Sequence, residues 1–449
     1  MPSAHPSSPS PFPRGTPYIV LNELAERFSF YGMRTLLVVF MTTQLLNAQH
    51  ELAVMTQEEA KSWYHTFEAA VYFFPILGAI LSDAFWGKYR TILLLSCVYC
   101  LGHLCLALDS TRSGLMLGLS LIALGSGGIK PCVSAHLGDQ FSSAQGEQLS
   151  HTFSWFFLAM NVAGLLASLS TPLLLESYGP HVAFGVPGLL MGIATFTFWL
   201  GRNTYIRVPP VGLTAFRVFL EPQQLKRIGE LLLIYVFAAF FWAMSAQTGA
   251  AWVFQAQKLD RHLLGMELLP AQIQSVSPLL NLVLIPCLTY GLYPLLGRIR
   301  PLNALHKIGL GFGTAMLAFL VSSWIEMLLS WGQTPIIWWQ VLAHVLMSAA
   351  EIMVAMTCLE LSYKRAPRVL KSLLMAAFML SVSLGNVFTG WVNYVIRRPD
   401  GSVALEGASY YLLFVGVMLG ASLLHGWVAS RMQDIHEAPE EARQVAPAP

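Results

Sequence analysis

The sequence predicts an all-α membrane protein made of two six-helix bundles, twelve transmembrane helices in all. Three observations carry that expectation: the scarcity of charge, the number of long apolar stretches, and the side on which basic residues collect. Of 449 residues, 55% are hydrophobic and only 11% charged, against about 25% charged in a soluble chain. Mean hydropathy is +0.57. A spanning helix needs about 20 mostly apolar residues. Stretches that meet this run over 17–47, 62–86, 90–110, 114–138, 150–175, 181–201, 229–257, 271–296, 303–329, 335–363, 368–396 and 408–431. The longer ones tilt or extend past the bilayer.

The basic residues then set orientation. Lys88 and Arg90 follow the second span, Arg202, Arg207, Arg217, Lys226 and Arg227 the sixth, Arg298, Arg300 and Lys307 the eighth, and Lys364, Arg365, Arg368 and Lys371 the tenth. These loops share one side. The other side holds fewer basic residues: Lys61, Arg112, Lys258, Arg261, Arg397 and Arg398. The positive-inside bias places both termini in the cytoplasm. GRNTYIRVPPVGLTAFRVFLEPQQLKR is the longest internal polar connection, with a short amphipathic piece at GLTAFRVFL. The reading is a disordered cytoplasmic tail at 1–16, a bundle over 17–201, a cytoplasmic linker over 202–228, a bundle over 229–431 and a second tail at 432–449. Two such halves suggest the major facilitator architecture, with a central cavity that opens alternately to each side.

Composition also excludes. A net charge of +2 and the lack of a basic run with interleaved aromatics argue against nucleic acid as a partner. Cys97, Cys100, Cys105, Cys132, Cys287 and Cys358 lie in or at the ends of apolar stretches, and read as small core residues rather than metal ligands or disulfides. No metal site is expected, and no Ser-His or Cys-His pair suggests an enzyme.

Ionisable residues inside the spans carry the functional expectation, because charge in the membrane is costly. In NELAERFSFYG and the residues after it, Glu23, Glu26, Arg27, Phe30, Tyr31 and Arg34 fall within an arc of roughly 140° at about 100° per residue, so one face of the first span is polar. In the second span Tyr64, Glu68 and Tyr72 are spaced four apart, with His65 three before Glu68; they can share a face and a hydrogen-bond network. Lys130, in GSGGIKPCVSA, needs an anionic partner, and Glu351 in HVLMSAAEIMVAM is a candidate. Asn161 and Trp242 add an amide and a flat wall. Asp83, Lys88 and Arg90, in the stretch GAILSDAFWGKYR, read as conformational elements at the loop after the second span.

NELAERFSFYGMR resembles the E-x-x-E-R-F-x-Y-Y-G signature of the proton-dependent oligopeptide transporters, a branch of the major facilitator superfamily. The resemblance continues through YHTFEAAVYFFPILGAILSDAFWGKYRTI, GSGGIKPCVSAHLGDQF, FFLAMNVAG, IQSVSPLLNLVLIP and AEIMVAMTCLELSYKRAPRVLKS. Several segments look closer to animal members than to most bacterial ones. It implies import of di- and tripeptides driven by protons, with the proton as coupling ion, no other cofactor, and a monomer in the cell membrane. By position, Glu23, Glu26 and Arg27 would couple protons together with His65. Tyr31, Arg34 and Lys130 would hold the peptide carboxylate, Glu351 and Asn161 the amino terminus, while Tyr72 and Trp242 line the pocket. Arg34, Lys130 and Glu351 would gate.

The sequence departs from that pattern in four places. Phe30 replaces one phenol of the signature; NVAG lacks a glycine two after Asn161; Ser277 replaces an asparagine before the proline of the eighth span; and Ala246 stands where the family places an acid four after Trp242. That acid pairs with the arginine at position 34, so Glu68 is expected to supply the missing carboxylate. Neither two additional helices after the sixth span nor a large domain after the ninth is expected, which describes a minimal, bacterial inner-membrane form. Rival readings are a family member carrying nitrate or another anion, against which Glu351 argues, and a peptide sensor that no longer transports, motivated by Ala246.

Overall fold

The computed structural model describes residues 13–142, 145–210, 212, 222–263, 265–299, 302–365, 371–398 and 402–431. Most of the two tails, and residues 211 and 213–221 of the linker with nearly all of its amphipathic piece, lie outside the described residues. Among the described residues ten helical runs are long and apolar enough to cross a membrane. One of them, His151–Asn203, is bent into two at Gly179, whose φ of 78° is left-handed and which Pro180 follows. The first helix, Thr16–Thr43, joins the count once its internal charges Glu23, Glu26, Arg27 and Arg34 are allowed for. The result is the twelve-helix major facilitator fold.

We number the helices α1 to α12. The first half holds α1 (Thr16–Thr43), α2 (Gln57–Ile80, prolonged by the π-helical turn Leu81–Trp86), α3 (Lys88–Leu108) and α4 (Arg112–Gly138). The run Gly146–Leu200 supplies α5 before Gly179 and α6 after it. In the second half, α7 is Pro222–Ser245, continued by Ala246–Gly249 and Ala251–Ala256. Four pieces make α8: Pro270–Ser275, Val276–Pro286, Cys287–Leu292 and Tyr293–Ile299. α9 is Ala304–Ser330. Trp338–Glu351, the π-helical turn Ile352–Met356 and Thr357–Arg365 form α10. Last come α11 (Lys371–Val395) and α12 (Ala408–Arg431).

Local sequence explains several ends. Thr56 accepts from Glu59 N at 3.2 Å and caps α2, Thr111 accepts from Gly114 N at 3.3 Å and caps α4, and Asn303 accepts from His306 N at 2.9 Å and caps α9. Each side chain satisfies an amide that the first turn leaves unbonded. Pro75, Pro131, Pro172 and Pro187 sit inside helices, tolerated where neighbouring helices support the freed carbonyls. The six cysteines are free; Cys132 and Cys358 are buried, whereas Cys97 and Cys287 are exposed rather than core.

Each half has its own core, the first around Phe40, Tyr99 and Phe184, the second around Trp252, Phe312, Phe319 and Phe414. The first core also takes in Val253, Phe254, Ile273, Ile325 and Ile337 from the second half. These belong to the end of the bundle where α1 finishes, here called the distal end. There α2 is stitched to α11: His65 to Asn386 at 2.8 Å, Ser383 Oγ to Ala69 O at 2.7 Å and Ser62 Oγ to Gly390 O at 3.3 Å. Gln272 donates to Leu169 O at 2.8 Å and Gln274 to Thr35 O at 3.3 Å. The halves are thus closed against each other distally.

Candidate functional site

The polar face of α1 meets α2 and α4 because α4 is stripped of side chains where it approaches. A Cβ on Gly78 of α2 would lie 2.0 Å from Gly128 O, so only glycine permits this crossing, the close-approach device of membrane helices. That contact seats Lys130, two residues later, beside α1 and α2.

Glu23, Glu26 and Arg27 form a compact cluster. Arg27 Nε lies 2.7 Å from Glu23 Oε1 and 3.4 Å from Glu26 Oε2, and Ser126 of α4 donates to Glu26 Oε1 at 3.0 Å. Both carboxylates are buried. Nearly two turns on, the Nε–H of Arg34 donates to the Tyr64 hydroxyl at 2.7 Å, while Glu68 Oε1 stands 3.2 Å from the same nitrogen as an ion pair. Glu68 is buried. So the acid facing Arg34 comes from α2, in the same half. Ala246, where the resemblance expects an acid, opens the short turn Ala246–Gly249, which touches α1.

Lys130 differs from the expectation that it pairs with Glu351. Its Nζ is buried without a hydrogen-bond partner and sits 4.0 Å from the Phe30 ring centroid and 4.5 Å from that of Tyr72. Two aromatic faces satisfy the cation in part. It also lies in the electrostatic field of Glu26, Glu68, Arg27 and Arg34. In the second half Glu351, the last residue before the π-helical turn of α10, accepts from Ser245 of α7 and interacts electrostatically with Arg34. Opposed charges from the two halves are therefore within electrostatic range of each other.

Other expected residues are placed differently. His65 leaves the stripe of Tyr64, Glu68 and Tyr72, because successive helical residues point about 100° apart. Asn386 Nδ2 donates to Val382 O at 3.0 Å, which fixes its Oδ1 as the acceptor for His65 Nδ1–H. In the neutral ring Nε2 then carries a free lone pair, and it is buried without a partner. The Asn161 amide bonds its own helix at Phe157 O, 2.9 Å. Trp242 packs on Phe378 with ring centroids 6.1 Å apart, its Nε1 buried and unpartnered. Tyr31 lies edge-on to Phe30 at 5.8 Å and beside Gly164 of α5. Ser277 faces His344 Nδ1 at 3.0 Å. Lys88 pairs with Asp139, which caps the end of α4, at 2.6 Å, not with Asp83, which accepts from its neighbour Ser82 at 3.1 Å.

Four contributors went unnoticed in the sequence: Ser126, Ser245, His344 and Asn386. Asn386 left the clearest signal, an amide within an apolar span. Among the described residues no group of three or more His, Cys, Asp and Glu could hold a metal.

The comparisons with known proteins follow this geometry. The POT family model matches residues 89–221 and 216–409. "Peptide transporter family 1" of Drosophila melanogaster is 36% identical over 366 residues, covering 71% of this chain and 48% of that protein. "Solute carrier family 15 member 2" of Homo sapiens is 35% identical over 367 residues, covering 71% and 49%. The chain thus spans about half the length of these relatives. The crystal structure of an auto inhibited POT family peptide transporter superposes with a TM-score of 0.86 at 31% identity, covering 97% of this chain and 99% of that one. That of the POT family transporter PepTSo gives 0.85 at 31%, covering 94% and 99%. With the family model matched across both halves of a twelve-helix bundle, this chain belongs to the POT family of proton dependent oligopeptide transporters.

Proposed function

We propose that the chain is a proton-coupled symporter that imports di- and tripeptides by alternating access across the cell membrane, with both termini cytoplasmic. One observation carries the reading: a desolvated cation without an acceptor, Lys130, stands beside Arg34 in one half, and the carboxylate of Glu351 lies in the other. A zwitterionic peptide completes both walls at once. Its carboxylate goes to Lys130, Arg34 and the Tyr31 phenol, its ammonium to Glu351 and to Ser277 of α8, while Tyr72, Trp242 and Asn161 line the space between. Both walls belong to one chain, so a monomer suffices.

Glu23, Glu26 and Arg27 serve as the proton-coupling cluster, since two buried carboxylates sharing one guanidinium cannot both hold their charge without cost once that guanidinium is drawn away. Glu68 and His65 Nε2 offer further proton sites next to the substrate cations and at the distal seam. The relatives are named as transporters, and their names support the substrate class. The test is uptake of a labelled dipeptide into proteoliposomes with and without an inward proton gradient, competed by di-, tri- and tetrapeptides. Gradient-driven accumulation blocked by di- and tripeptides alone is the expected result; uptake indifferent to the gradient overturns the coupling.

A further inference from the structure

The distal seam holds a buried cation with no part in the scheme above. Lys61 stands on the second turn of α2, in the first half, and is buried. Its Nζ lies 4.5 Å from the ring centroid of Tyr410, on the first turn of α12 in the second half. That ring is fixed from its own side. Its hydroxyl donates to Asn393 Oδ1 of α11 at 3.1 Å, Asn393 Nδ2 donates to Thr389 O at 2.8 Å, and the ring packs T-shaped on Tyr411 and Phe414 with centroids 5.5 and 5.3 Å away. Ion pairs at this end stay within one half: Lys61 with Glu58 at 3.6 Å, Arg112 with Glu59 at 2.6 Å and Lys258 with Glu326 at 3.8 Å. The ring contact of Lys61 crosses the seam.

Beside Lys61 a cavity of about 840 Å³ is shared by the halves, lined by Glu58 and Lys61 from the first and by Gln255, Lys258, Glu326 and Tyr410 from the second. Lys61 lies in the electrostatic field of Glu58, Lys258 and Glu326, but the Glu326 carboxylate is taken by Gln255 Nε2 at 2.9 Å. Closing the seam therefore desolvates an ammonium whose ion pair with Glu58 is longer than a good hydrogen bond, and that is costly. The Tyr410 face offsets part of the cost. Opening reverses both terms, because the ring is withdrawn and water reaches the ammonium. We infer that Lys61 and Tyr410 form a gate pair at the distal seam, in which the buried ammonium favours reopening and the ring keeps the closed state populated. This deepens, and rests on, the alternating-access reading above. It gives the seam a means of release that its apolar contacts, Val253, Phe254, Ile325 and Ile337 against the first core, do not have.

The experiment uses the full chain in proteoliposomes, cysteine-free and then spin-labelled at Gln49→Cys and Gln333→Cys, exposed loop positions at the distal end of the two halves. Pulsed dipolar distances give the ratio of distally open to closed molecules, and initial rates of Ala-Ala uptake are measured on the unlabelled chain. Tyr410→Leu leaves the ammonium buried without its ring and is expected to raise the open ratio roughly tenfold. Adding Lys61→Met should abolish that rise, since the ring then has no charge to offset. Lys61→Met alone should hold the distal end closed and lower kcat roughly fivefold or more, with KM within about twofold. Tyr410→Phe keeps the ring and loses only the bond to Asn393, so its ratio should stay within about twofold of wild type. If Tyr410→Leu does not give folded protein by size-exclusion profile, the Lys61→Met distances and kcat decide alone. A Lys61→Met protein that opens or is unchanged, a rise in Tyr410→Leu that persists without the lysine, or the same rise in Tyr410→Phe overturns the inference. Wild-type protein that takes up no Ala-Ala removes the peptide reading but leaves the distance test standing; unchanged distances in an active transporter remove this inference alone.

Discussion

Arg34 and Glu68 form an ion pair within one half of the molecule: Nε to Oε1 is 3.2 Å, between α1 and α2, with the Tyr64 hydroxyl 2.7 Å from the same Nε. A pair inside one half is not stretched when the halves rock apart, so it can tune Arg34 without latching the bundle.

Removing this carboxylate strands a buried guanidinium. Breaking a buried pair from one side costs about 3 kcal/mol or more. Glu68→Gln is therefore expected to lower the Tm of the purified protein and to reduce gradient-driven uptake at least about tenfold. Adding Ala246→Glu returns an acid to the turn that touches α1 and should recover part of both. Normal stability and uptake in Glu68→Gln, measured by thermal melt and proteoliposome flux, refutes this role.

If Arg34 does not latch the distal end, neutral contacts do. His65 with Asn386 and Ser383 with Ala69 O join α2 to α11. Asn386→Leu removes one hydrogen bond, about 1 kcal/mol, and leaves His65 Nδ1–H unsatisfied. The population with the distal end open should rise roughly fivefold or more. Spin labels on the distal tips of α2 and α11, read by pulsed dipolar spectroscopy, check this; an unchanged distance distribution excludes the bond from the gate.

The seam between α2 and α4 predicts a steep size limit. A methyl group at Gly78 would meet Gly128 O at 2.0 Å, backbone that cannot swing aside, whereas a Cβ on Gly192 of α6 meets nothing within 4 Å. Gly78→Ala should lose several kcal/mol by overpacking and displace Lys130, with little folded protein recovered; Gly192→Ala should express and melt like wild type. Equal yields by fluorescence-detected size exclusion contradict the close crossing.

The fold was legible because the bilayer sets helix length and punishes charge, two constraints written in composition; only details such as the sharp junction of α5 and α6 at Gly179 needed coordinates. Residue types in the site were equally legible, since Glu23, Arg34, Lys130 and Glu351 are conspicuous in apolar spans. Their partners were not. Spacing places Tyr64, Glu68 and Tyr72 on one face, but how α2 is rotated against its neighbours decides that Glu68 meets Arg34, that Tyr72 meets Lys130, and that His65 turns to α11. The missing acid at 246 hinted at the first of these. Nothing in the sequence said that Lys130 would rest on rings, because an aromatic cage leaves no charge pattern to read.

Lys130 offers the sharpest separation of stability from function. Its ammonium is buried over Phe30 and Tyr72 with no acceptor, so the folded protein bears its desolvation without a full ion pair in return. Replacing it by the neutral, similarly long glutamine removes that cost. Lys130→Gln should therefore melt at or above the wild-type temperature. Yet it should lose uptake by about a hundredfold or more, because the group that awaits the substrate carboxylate is gone and a charge-assisted contact in a dry site is worth roughly 3 kcal/mol. Arginine at this position keeps the charge, but its planar fork cannot sit as a compact ammonium between two rings, so Lys130→Arg should remain impaired. A thermal melt alongside the flux assay decides: a destabilised Lys130→Gln would mean that the lysine holds the fold through a partner not seen here, and retained uptake would remove it from the site.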